Sequence, residues 1–171
     1  MTTCSHIVLM ATYNEWMNAK LYEAAGNLSP QELAADRKAF FGSILGTLNH
    51  IVVGDTAWLK RFATHPAHYA TLEPVRQLPA PVSLDQILFA DFATLYVHRK
   101  MLDVVIGQWA AEVKEKHLAH VLEYRNVKGI PGRRQFSSLV MHFFNHQTHH
   151  RGQVTTLLHQ AGHDVGVTDL L

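Results

Sequence analysis

The sequence predicts an all-α protein: a four-helix bundle with a long crossover after the second long helix and a short irregular or hairpin excursion before the last helix. Three observations lead there. Four stretches repeat their apolar residues at helical spacing, a proline-broken segment separates the second from the third, and no stretch reads as a convincing sheet. The 171 residues are expected to form one domain, and a 47% hydrophobic content is ample for its core.

The first stretch runs from about Ser5 to Gly26, with Leu9, Tyr13, Met17, Leu21 and Ala24 on one stripe. Ser29-Pro30-Gln31-Glu32 then combines a capping serine, a proline at the first helical position and a glutamate three residues on, which starts a short helix. From Ser43 to about Phe62 a second long helix carries few charges and is expected to be buried on most sides. Pro66, Pro74, Pro79 and Pro81 make the next segment, Thr64 to Val82, the crossover. Its length leaves the order of the helices open. Ser83 and Gln86 frame another capping signal, and helical spacing then continues from Leu84 to roughly Lys116. Leu118, His120, Leu122 and Tyr124 alternate ahead of Gly129-Ile130-Pro131-Gly132, which suits a hairpin or an irregular excursion. Ser137 is placed to cap the last helix, from about Ser138 to Gln160, with Gly162 closing it.

Fifteen basic and fourteen acidic side chains give a net charge of +1, which supplies no broad field for nucleic acid or an anionic membrane surface. Lys128, Arg133 and Arg134 form only a small local cluster, read as a solvated loop. Trp16, Trp58, Phe143 and Phe144 read as core or dimer contacts. Cys4 is the single cysteine, so no intrachain disulfide and no cysteine-rich zinc module can form. The N-terminus lacks the pattern of an export signal, and a cytoplasmic location is expected.

Histidine is therefore left to carry any soft-metal chemistry. There are 13, and His142, His146, His149 and His150 fall within nine consecutive residues. On a helix, His146 and His150 stand about 40° apart and one turn along, so both can reach one ion. His142 lies a further turn back and His149 on the flank, so spacing alone leaves several pairings open. His50 sits in the middle of a mostly apolar helix and must find a partner, because unmatched ring nitrogens would cost about 1–3 kcal/mol. Small neighbours, Gly46, Thr47 and Gly54, are expected to leave open volume beside its ring.

Tyr13-Asn14-Glu15-Trp16, Gly42-Ser43-Ile44, Leu48-Asn49-His50-Ile51 with Asp55 and Trp58-Leu59, the run Asn145-His146-Gln147-Thr148-His149-His150-Arg151-Gly152-Gln153, and the Thr168-Asp169-Leu170 tail closely resemble the DinB family of small bacterial damage-inducible proteins. The resemblance spans nearly the whole chain in the right order. It does not extend to the unrelated DNA polymerase that shares the name. It implies a four-helix bundle, often a homodimer, that holds one divalent metal by three histidines, which fall here on His50, His146 and His150. Three neutral nitrogens with a position left open describe a reactive site, and zinc or nickel is the expected ion. Asn14, Asp55 and Gln153 are polar residues of the matching segments that could accept the imidazoles' remaining N–H groups.

Relatives in the wider superfamily imply a metal-dependent transferase that uses a low-molecular-weight thiol and an electrophilic substrate. A metal-dependent hydrolase and a non-enzymatic metal-binding stress-response or scaffold protein are the alternatives.

Overall fold

The computed structural model describes residues 2–170. The protein is mostly helical, with one small two-stranded sheet. Helix α1 spans Thr3–Ala25 and is capped by the Thr2 side chain, which accepts from the Ser5 amide. Helix α2, Pro30–Ala34, carries the full reciprocal capping box between Ser29 and Glu32. Helix α3, Ile44–Phe62, begins where the Ser43 side chain accepts from the Gly46 amide, and most of its residues are buried, as its low charge predicts.

The crossover is not wholly irregular: it contains a 3-10 turn at Ala70–Leu72 and helix α4, Glu73–Arg76. It is tied down by Lys60, whose ammonium donates to the carbonyls of Val75, Arg76 and Leu78.

The third long helix departs from expectation. Helix α5 spans Phe92–Glu112 with Asp91 as its cap, so it starts well after Ser83 and stops short of Lys116. The residues ahead of it are held by α3 instead. The Asn49 side chain donates to the Phe89 carbonyl at 3.0 Å and accepts from the Phe89 amide at 2.9 Å. The Leu84 carbonyl lies 2.7 Å from His50 Nδ1. Backbone groups used in this way are unavailable for helical bonds. The Gln86 side chain accepts from the Val82 amide at 3.0 Å, a local turn without a helix behind it.

A short helix α6, Glu115–Leu118, leads into the expected excursion, which is a hairpin. Strand β1, Val121–Arg125, pairs antiparallel with β2, Pro131–Gln135, in the register Val121 to Gln135. Helix α7, Phe136–Gln160, follows β2 without a break, and Ser137 is therefore inside it and does not cap it. Gly162 adopts φ +86°, the left-handed geometry expected of the residue that ends the helix.

α1 packs on α5 and α7, and α3 packs chiefly on α7 and also on α5. Phe62, Trp109, Phe136 and Phe143 meet between them, with Phe62 and Trp109 stacked at 5.2 Å and both fully buried. Aromatic side chains of this size each contribute about 1.5–3 kcal/mol by burial.

A second buried cluster is polar. Arg99 on α5 donates to Asp55 on α3 at 2.5 Å and pairs with Asp103 at 3.0 Å. Asp103 accepts from Asn18 at 2.8 Å and Asn14 at 3.2 Å on α1, and Arg151 on α7 donates to Asn14. Removing Arg99 would strand two buried carboxylates, Asp55 and Asp103, and breaking a buried pair in this way costs about 3–5 kcal/mol. The cluster therefore fixes which faces of α3 and α7 point inward. His50 lies five residues before Asp55 and His150 one residue before Arg151, so both are turned well away from the charged cluster.

Candidate metal centre

The rotation fixed by the buried charges brings His50 of α3 against His146 and His150 of α7. His50 Nε2 stands 3.1 Å from His146 Nε2 and 3.1 Å from His150 Nε2. Two nitrogens sharing one ion at about 2.0–2.1 Å each can be no more than about 4.2 Å apart, and these separations satisfy that limit. Among the described residues these three form the group of histidine, cysteine or carboxylate side chains able to hold a metal ion.

Their hydrogen bonds decide what the site can bind. His50 Nδ1 faces the Leu84 carbonyl, which only accepts, so Nδ1 carries the proton and Nε2 is bare. His150 Nδ1 donates to Gln153 Oε1 at 2.8 Å, while the Gln153 amide nitrogen is turned to His149 at 3.3 Å. That leaves His150 Nε2 bare as well. Bare lone pairs facing one another at this distance repel unless a cation lies among them. A single proton could bridge one pair but could not serve all three rings.

Electrostatics work in the same direction. Burial, and then the neighbouring imidazoles, push His146 down to about 3. Burial also lowers His50 and His150, so each ring presents the neutral form that ligates metal.

Small residues beside the rings do something other than leave space. A Cβ on Gly54 would lie 2.6 Å from His146 Cε1, so Gly54 is the seat of the His146 ring. A Cβ on Gly46 would collide with the Phe41 carbonyl, and the Phe41 ring stacks on His50 with centroids 3.8 Å apart. The volume expected beside His50 is thus filled by His146 and Phe41. Beside them are two exposed apolar side chains, Phe40, whose ring meets Phe41 at 4.8 Å, and Leu84, whose carbonyl meets His50.

Of the three partners expected for the imidazoles, Gln153 touches one. Asp55 and Asn14 belong to the buried charge cluster instead. His142 meets the Trp58 ring edge-on at 5.0 Å and the exposed His149 meets Gln153, and neither belongs to the group whose nitrogens converge. Phe143 and Phe144 are buried, whereas Trp16 is 42% exposed. The residue that sequence reasoning missed is Leu84, whose contribution is a backbone carbonyl with no side-chain signature.

The family model of the DinB family matches residues 1–171. The chain belongs to the DinB family. It is 25% identical over 157 residues to Protein DinB of Bacillus subtilis (strain 168), a match covering 92% of this chain and 87% of that protein. No solved structure matches it. Within this DinB-family chain, His50 lies 96 positions before His146 and meets the His146–His150 pair of α7 only through the packing of α3 on α7. Among the described residues no helix is long and apolar enough to cross a membrane.

Proposed function

We propose that this DinB-family protein is a metal-dependent enzyme in which His50, His146 and His150 hold one divalent ion, zinc or nickel, for thiol-transfer chemistry in the cytoplasm. The observation that carries this reading is the meeting of three Nε2 atoms, at least two of them stripped of protons by the partners of their Nδ1 atoms. The reading includes a four-helix bundle of α1, α3, α5 and α7, a single domain and a homodimer.

Neutral ligands leave a divalent ion its full charge. When bound, the ion would supply the positive field that keeps a thiol sulfur as thiolate near neutral pH. The chain supplies the rest. Leu84 and Gln153 hold two imidazoles in one tautomer and one orientation, and Phe41 covers a face of His50. The exposed Phe40 and Leu84 favour a soft, partly apolar ligand over a strongly hydrated one at the rim.

Two measurements test this. His50→Ala is expected to abolish stoichiometric metal while leaving the helical circular dichroism intact, and a full complement of ion in that variant would overturn the ligand set. Cobalt-substituted protein titrated with small thiols is expected to develop a sulfur-to-metal absorption band. Its absence at saturating thiol would reject the thiol reading and favour hydrolysis or a non-catalytic role.

A further inference from the structure

On α3, His50, Gly54, Ala57 and Arg61 fall within an arc of about 60°, as their spacings of four, three and four dictate. The His146 ring rests on Gly54. Immediately beyond it, Ala57 opens into a cavity of about 280 Å³ between α3, the crossover at Ala80 and Pro81, and the hairpin at Tyr124.

Arg61 forms the far wall. Its guanidinium lies over the Trp58 ring at 4.5 Å and near the Tyr124 ring at 5.4 Å, and its Nε–H donates to the Arg125 carbonyl at 3.1 Å. Its terminal N–H groups have no protein acceptor among the described residues, and no carboxylate pairs with it. Other sheltered arginines have protein acceptors for their terminal N–H groups: Arg76 meets Glu73 at 2.8 Å, Arg99 meets Asp55 at 2.5 Å, and Arg151 donates to Asn14 and Thr148. Lys60 in the same wall gives its ammonium to three carbonyls and to no acid. Glu123, the one acid of the lining, is the salt-bridge partner of Arg133. The cavity therefore gathers three cations, Lys60, Arg61 and Arg125, against the one carboxylate of Glu123, beside a rigid planar fork of donors shaped for an oxyanion.

We propose that this cavity binds the oxyanion end, a carboxylate or a phosphate, of the molecule that reacts at the three histidines, with Arg61 as the residue that receives it. The link to the reacting end rests on the metal-centre reading above. Ala57 and Arg61 stand about 10 and 16 Å along the helix axis from His50, so the occupant is an extended molecule with its anion well separated from its reacting group.

The anion site is tested first in metal-free protein. Inorganic phosphate and acetate are titrated while the Trp58 indole N–H is followed by NMR. A saturable shift is expected, weakened about tenfold or more in Arg61→Gln and unchanged in Lys100→Gln, an exposed cation of α5 outside the lining, since loss of a charge-assisted hydrogen bond has that magnitude. The tighter of the two ions identifies the group. Arg61→Lys, which keeps the charge and the aromatic contact but loses the fork, is expected to fall between and covers the case in which Arg61→Gln does not fold. No saturable shift, or equal affinity in Arg61→Gln or, should it not fold, in Arg61→Lys, would overturn the proposal.

Cobalt-loaded protein then tests the link, using ω-mercapto-carboxylates of increasing chain length beside the matching ω-mercapto-alcohols. The carboxylate is expected to win only once the chain can span to Arg61, and to lose that advantage in Arg61→Gln. Thiol binding without any such length dependence would overturn the anchor and leave the metal centre standing. Anion binding without thiol binding would uphold the Arg61 site and reject the thiol chemistry.

Discussion

Two groups of three histidines stand near opposite ends of α3, and they differ in what their nitrogens face. At one end, His50, His146 and His150 turn Nε2 atoms toward a common point. At the other, His65 packs within 4.7 Å of His120 and 5.7 Å of His117, ring centre to ring centre, but its nitrogens are already engaged. His65 Nδ1 accepts from the Ala67 amide at 3.0 Å, and its Nε2 donates to the His117 carbonyl at 3.3 Å. His117 Nδ1 accepts from the Lys114 amide and the Tyr69 hydroxyl, both at 3.1 Å. Proximity of imidazoles is therefore not the mark of a metal site. The mark is a surplus of lone pairs that the protein itself does not use. In the second group the one acceptor lone pair of His65 and the Nδ1 lone pair of His117 each have a protein donor, so that pair works as a structural joint.

The largest effect that separates the two groups is expected from Gly54→Ala. The added methyl would displace the His146 ring, and no hydrogen bond of the His65 group would change. Metal affinity is expected to fall by more than a hundredfold, approaching loss of His146 itself, because even loss of an outer partner costs about 10–100-fold. Calorimetric zinc titration checks it, and wild-type affinity in Gly54→Ala would mean that the His146 position is not essential to binding.

Gln153→Ala comes next. It removes the acceptor that fixes the His150 tautomer and leaves all three rings in place, so an affinity loss of about 10–100-fold is expected. Unchanged affinity would show that the tautomer needs no such support.

The division between what the sequence discloses and what it hides follows the same physics. Helical periodicity identifies the four long helices because burial of one face is a local pattern, and Gly129-Ile130-Pro131-Gly132 marks a break that is either a hairpin or an irregular excursion, which the structure resolves as a hairpin. The start of α5 was misplaced because Asn49 and His50, some forty residues earlier, engage the backbone at Phe89 and Leu84. Spacing on α7 admitted four histidines. Choosing His146 and His150 requires the rotation of the helix, which Arg151 and the buried charges set. The family resemblance named the three rings, but neither it nor the spacing could show that Leu84 supplies a carbonyl or that Gly54 is a seat.

Acid provides a subtler contrast, best read in metal-free protein. His146 in the folded chain lies near 3, below its ordinary 6.5. Between those values the unfolded chain binds a proton that the folded chain refuses, so stability is lost as pH falls through that window. Wild type minus His146→Phe cancels the titrating groups outside the histidine cluster. The difference in unfolding free energy is expected to slope by about one proton, or about 1.4 kcal/mol per pH unit, through the upper part of the window. Urea titrations from about pH 7 to pH 5 measure it, and a flat difference would mean that His146 titrates normally.

The smallest effect on metal is expected at the other end of α3. His65→Ala removes the acceptor for the Ala67 amide and the ring packed 4.6 Å from Phe136, yet it leaves α3 and α7 joined through the Phe62, Trp109 and Phe143 contacts. Stability should fall by about 1–3 kcal/mol, the range for a buried hydrogen-bonding group left unmatched. Zinc stoichiometry should not change, because no nitrogen of this group faces the three-histidine point. Loss of zinc in His65→Ala at a temperature where the variant remains folded would show that the two ends of α3 are coupled, and that counting unused lone pairs is not enough to tell a site from a joint.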